Sequence, residues 1–144
     1  GNVGNYFGGK PNASNEGIVD GLIYIKGNIG NNSLQRVRRG NIIIEGNIGN
    51  DACHEMISGT ILIKGRIGVS FGLDMKRGTI FTKDKKLTKD YTKSNKAEYN
   101  FIKFYLTQLK NIIKKKMFLE KKKLERYHGN KNKNNLSEIF LFKS

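Results

Sequence analysis

The chain is poor in the residues that usually announce chemistry: of 144 residues one is cysteine, one is proline and two are histidine. A single cysteine excludes a disulfide framework. No apolar stretch approaches the roughly 18 residues of a membrane span and no secretory leader is seen, so a cytoplasmic protein is expected, without membrane partners. Two histidines do not supply a Ser/His/Asp set, and no Cys/His spacing matches a zinc site. Cys53 and His54 are adjacent, which on a strand would send them to opposite faces, so they read as a small buried thiol beside an exposed imidazole. Asp51, Glu55 and Asp74 fall in turn segments with no partner at predictable geometry and read as solvated carboxylates. No catalytic residue and no metal ligand is therefore expected.

Charge of one sign is in excess, and it is unevenly placed. Residues 1–82 carry 9 Lys+Arg against 6 Asp+Glu, whereas 83–144 carry 18 against 6, so most of the net +15 belongs to the tail. Only six of the basic residues are arginine, and asparagine is frequent throughout. Base composition of an AT-rich coding sequence alone produces that bias, which lowers its weight as evidence for a nucleic-acid partner.

Glycine, by contrast, is abundant and periodic. Gly21, Gly40, Gly59 and Gly78 fall 19 residues apart, each opening an aliphatic run: GLIYIKGNIG, GNIIIEGNIG, GTILIKGRIG and GTIFTK. A second glycine follows six residues later (Gly27, Gly46, Gly65) and a third three residues after that (Gly30, Gly49, Gly68). A fixed period this short, with a strand-like core in each copy, predicts an all-β solenoid: a right-handed parallel β-helix of about four 19-residue coils. The glycines are expected where the chain turns with positive φ or approaches its neighbour closely.

Period 2 within each run sorts the columns. Ile23, Ile42, Ile61 and Ile80 stack with Ile25, Ile44, Ile63 and Thr82 on the inward face. Ile29, Ile48 and Ile67, then Ile18, Val37, Met56 and Met75, complete the core. The outward column Tyr24, Ile43, Leu62 and Phe81 is wholly apolar, so it is expected to be covered by the chain's own tail or by a partner protein. Its neighbour Lys26, Glu45, Lys64 and Lys83 reads as a solvated face.

Organisation follows from the register. Residues 1–83 form the glycine-repeat β-helix, 84–95 a polar linker, and 96–144 a capping helix and tail docked on the solenoid. GNVGNYFG at the start matches the second half of a coil, and 9–15, with Pro11, reads as a loop enlarging that turn; an upstream turn before Gly1 is expected. Over 96–118 the residues Ile102, Tyr105, Leu106, Leu109, Ile112 and Ile113 follow helical spacing, with Ser94 or Asn95 as cap. This helix is expected to cover the solenoid's open end. LERYHGN and SEIFLFK follow, the latter ending in a short final strand. One basic cluster stands out in the turns before Gly40 and Gly78, where Arg38 or Arg39 and Lys76 or Arg77 take equivalent positions two coils apart. They are the candidates for contact with a polyanionic cofactor chain or an acidic partner.

The coil G-x-φ-φ-φ-x-G-x-x-G with M-x-x-G before the next strand (MISG, MKRG), then YNFIKFYLTQL, RYHGN and SEIFLF, resembles the glycine-repeat β-helix subunit of formylmethanofuran dehydrogenase. It also resembles the related C-terminal glycine-repeat domain of glutamate synthase. The resemblance covers about residues 1–83 and 99–142; Asn130 departs from the family's usual acidic residue, and the mid-coil glycine survives only at Gly72, with Leu34 and Cys53 in the other copies. It implies a scaffold subunit of a bacterial formyltransferase/hydrolase complex in tetrahydromethanopterin-linked oxidation of formaldehyde to formate. It further implies an amidohydrolase-like zinc subunit and formyltransferase or dehydrogenase subunits as partners, and a methanofuran-type cofactor held in the complex rather than by this chain. Candidate interface residues are the outward column together with Arg126 and Tyr127. Two other readings stay open: a structural domain of a glutamate synthase, or an RNA or anionic-surface binder using the Lys/Tyr/Phe tail.

Overall fold

In the computed structural model, residues 1–9, 14–94, 100–114, 118–119, 122–130 and 135–143 are described. Four short strands, β1 (Leu22–Ile25), β2 (Asn41–Ile44), β3 (Thr60–Ile63) and β4 (Thr79–Thr82), stack in parallel, with three 19-residue turns between the first and the last. Their register pairs Ile23 with Ile42, Ile42 with Ile61 and Ile61 with Ile80, as the glycine period requires. Val3, Ile29, Ile48 and Ile67 form a second parallel ladder on another side of the coil. The chain is a parallel β-solenoid.

The ten turn glycines divide into two physical classes. Gly21, Gly40, Gly59 and Gly78 adopt φ between +98 and +121, a region that side chains strain. Gly46 and Gly65 need room instead: a Cβ on Gly46 would lie 2.3 Å from the Gly27 carbonyl oxygen, and one on Gly65 would lie 2.1 Å from that of Gly46. Gly27, Gly30, Gly49 and Gly68 are packed as closely against backbone or asparagine atoms of the preceding coil. Between strands, the corners run through alternating left-handed residues, Asn32, Leu34 and Arg36, then Asp51, Cys53 and Glu55, then Ser70, Gly72 and Asp74. The amides of Asn32, Leu34, Arg36, Asp51, Cys53, Glu55 and Gly72 bond to the adjacent coils, so the ladder continues around the corner. The mid-coil position thus keeps its left-handed backbone even where Leu34 and Cys53 replace glycine, because both side chains are fully buried in the core.

Asparagine has a structural task that base composition does not explain. The Asn28 side-chain oxygen accepts the Asn47 amide and Asn47 accepts that of Arg66, while Asn31 and Asn50 repeat the device toward Asn50 and Val69. Two asparagine ladders therefore satisfy backbone donors that the sharp glycine turns leave without a strand partner.

Beyond β4 the chain departs from the expected plan. The segment read as a linker holds a 3-10 turn (Lys85–Thr88) and a strand, β5 (Tyr91–Lys93). It is followed by α1 (Asn100–Ile113), β6 (Leu124–Asn130) and β7 (Glu138–Phe142). Strand β7 pairs in parallel with β4, and β6 and β5 continue antiparallel, giving the order β1-β2-β3-β4-β7-β6-β5. The open edge of β4 is thus closed by a strand, not by the helix. Ile139, Phe140 and Leu141 continue three of the solenoid's columns without the 19-residue spacing.

Helix α1 lies instead over the outward apolar column. Ile43, Leu62 and Phe81 are fully buried there with Leu109, Phe140 and Phe142, joined by half-buried Ile102, Tyr105, Leu106 and Ile113. The rings of Phe81 and Phe140 stack with centroids 4.9 Å apart, and the Tyr105 hydroxyl donates to Asn41 Oδ1 at 2.6 Å. Ile112, expected on the inner face, is exposed, because Ile113 takes the inward place. Pro11, Asn95 and the predicted helical residues 96–99 and 115–117 lie outside the described residues.

Candidate functional site

The basic turns are where the period placed them. Arg38, Arg39, Lys76 and Arg77 are all exposed, separated by the Ile57 and Ser58 coil, so the two pairs stand about 10 Å apart by strand spacing. The Arg38 and Arg39 amides both bond the Ile18 carbonyl, which holds that corner in shape. The cluster carries its own counter-ions: Arg38 Nη1 pairs with Glu16, and Arg36 Nη1 pairs with Glu55 Oε2 at 2.6 Å. Glu55 and Asp74, read from sequence as partnerless, are both engaged across the stack, Asp74 with His54 at 3.8 Å. The signal was present, since Arg36, Glu55 and Asp74 share one column of the 19-residue register.

The interface candidates separate. Ile43, Leu62 and Phe81 are covered by this chain's own helix, so they offer no surface. Half-buried Tyr24 donates its hydroxyl to Glu45, and burial followed by that bond pushes its phenol up to about 12. Arg126 reaches Glu138 Oε1 at 2.7 Å, and Tyr127 packs against the core from β6. The RYHGN motif is the outer part of β6, where His128 Nδ1 lies 2.7 Å from Ser94 Oγ. Among the described residues no group of three or more His, Cys, Asp or Glu side chains is placed to hold a metal ion. No helix among them is long and apolar enough to cross a membrane.

Sequence reasoning missed a groove of about 860 Å³ between α1 and the β5–β6 end of the sheet. Its floor is aliphatic, with Ile102, Leu106, Leu119 and Leu124, while Lys93, Lys103, Lys110, Lys122, Lys123 and Arg126 stand around it, with Glu125 as the acid among the described residues. Lys143 beside Glu125, together with Lys93, holds its carboxyl below the ordinary 4.5. Helical spacing gave Ile102 and Leu106 inward places, but the far wall comes from strands that no periodicity announced.

The family described as the GXGXG motif matches residues 10–138. The chain belongs to the GXGXG family. Among solved structures, a chain of the formyltransferase/hydrolase complex (FhcABCD) from Methylorubrum extorquens, crystallised with methylofuran, matches this GXGXG protein with a TM-score of 0.80 and 26% identity. The match covers 99% of the GXGXG chain and 54% of the other, so the chain spans about half the length of that relative. No curated protein matches it. The GXGXG protein is a β-helix of the type found in that complex, related to the glutamate synthase glycine-repeat domain.

Proposed function

We propose that this GXGXG protein is a non-catalytic scaffold subunit of a formyltransferase/hydrolase-type complex. One observation carries the reading: the likeness to a chain of such a complex runs over 99% of this chain, α1 and β5–β7 included, at a TM-score of 0.80. The family match over residues 10–138 is shared with the glutamate synthase glycine-repeat domain, so it is the likeness to a chain of the solved complex that supports this reading. In this reading the reaction oxidises formaldehyde to formate with tetrahydromethanopterin as carrier. Hydrolysis belongs to an amidohydrolase-like zinc subunit and formyl transfer to another, and the assembly is cytoplasmic. The coil is right-handed, as parallel crossovers almost always are, and about four coils long.

The glutamyl part of a methanofuran-type cofactor would meet the rim at Arg38, Arg39, Lys76 and Arg77, where guanidinium forks match carboxylates. Glu16 already engages Arg38, so the Lys76 and Arg77 end of the rim is the better contact. The test is purification of the tagged chain from its native cell followed by identification of bound chains. An amidohydrolase-like subunit and a formyltransferase are expected in fixed ratio; recovery of the chain alone as a monomer overturns the reading.

A further inference from the structure

The groove beside α1 has the chemistry of a peptide-binding site. Along its helical wall, Lys103, Thr107 and Lys110 follow i, i+4, i+7, so the two ammonium groups start about 10 Å apart, two helical turns. On the other side stand Lys93 and Arg126 of β5 and β6, with Lys122 and Lys123 nearby, and the four aliphatic floor residues lie between. Lys93 and Arg126 have acidic neighbours in Glu125 and Glu138, and among the described lining residues Lys103, Lys122 and Lys123 add further positive charge while Glu125 is the acid.

We propose that this groove binds an acidic amphipathic helix of a partner protein, its apolar stripe on half-buried Ile102, Leu106 and Leu124 and its carboxylates on the flanking lysines. A helix is about 10 Å across with its side chains, and one with apolar residues at i, i+3, i+4 and i+7 presents a stripe of the width such a floor takes. Single-stranded nucleic acid is the poorer fit, since no aromatic ring among the described residues lines the groove for a base to stack on. The proposal does not depend on the formyltransferase/hydrolase reading, and a chain outside any such complex would retain the site.

The test uses the full chain and a fluorescein-labelled synthetic helix of α1's length, with leucines at i, i+3, i+4, i+7 and glutamates on the flanks. Saturable binding is expected to weaken at least about tenfold in Lys103→Glu/Lys122→Glu, to weaken likewise in Thr107→Trp, and to persist in Lys103→Arg/Lys122→Arg. Lys26→Glu/Lys64→Glu makes the same charge change on the strand face and should leave affinity within about twofold. Circular dichroism melting keeps the fold of each variant in view. Equal weakening by both charge-reversed pairs overturns the proposal, since the peptide would then follow net charge alone. So does a Thr107→Trp variant that melts normally and binds normally. Phosphatidylglycerol vesicles or a single-stranded RNA oligonucleotide that bind where the peptide does not, and lose binding in Lys103→Glu/Lys122→Glu, would reassign the groove to that ligand and overturn it as well.

Discussion

Gly21 and Gly46 repeat with the same period and serve different needs, which two alanine substitutions separate. A Cβ on Gly21 meets nothing within 4 Å, so Gly21→Ala carries only the strain of φ +103, about 1–3 kcal/mol. On Gly46 the Cβ would be 2.3 Å from a backbone oxygen that cannot move without breaking the coil-to-coil ladder. Gly46→Ala is expected to lose at least about 3 kcal/mol and to lower Tm much further than Gly21→Ala in paired thermal melts. Cys53 is fully buried, and burial pushes its thiol far above the ordinary range. Thiol labelling of the native protein at pH 8 should be slow and should accelerate only where denaturant unfolds the solenoid; prompt labelling of folded protein would contradict the burial.

Helix α1 belongs to the core through one face. Leu109, with Phe81 and Phe140 in the same cluster, is 3% exposed, so Leu109→Ala is expected to cost about 2–4 kcal/mol from lost transfer energy and the cavity left behind. Ile43→Asp should be more severe, placing a carboxylate in an apolar layer with no cation described beside it, and should unfold the domain in urea titrations. Were that variant folded and merely deficient in assembly, Ile43 would belong to a partner surface. The same helix leaves Phe101 and Phe104 exposed at 74% and 62% on another face. Tail aromatics therefore divide: Tyr105, Phe118, Phe140 and Phe142 serve the second core, and those two phenylalanines do not.

The whole molecule is held together at its C-terminal end by β5, β6 and β7, and Glu125 is a tie among them. Its carboxylate meets Lys143 at 3.3 Å just past β7 and Lys93 at 3.4 Å on β5. Those cations lower its folded pKa, first of all Lys143, and a carboxyl depressed on folding adds stability that is complete above its unfolded value near 4.5. That increment fades as pH falls through the lower folded value. Glu125→Gln should therefore be modestly less stable than the parent at pH 7, with the two converging toward pH 3. A difference that grew with acid would put the sign of the shift in error.

Sequence periodicity by itself determined the solenoid: stacked parallel coils demand the same residue type at each equivalent position, so glycine turns, isoleucine columns and the apolar outer stripe are all written with one spacing. Even the Arg36, Glu55 and Asp74 column and the asparagine ladders could be read that way once the period is known. The end of the molecule was decided only in three dimensions. Strand β7 takes the place of a further coil from a sequence distance that no repeat specifies, and β6 and β5 pair antiparallel to it. Which element covers which surface depends on where a non-repeating tail can bury its apolar side chains, and that is a competition between distant faces. The helix went to the side and the strands to the end, and the groove lies between them.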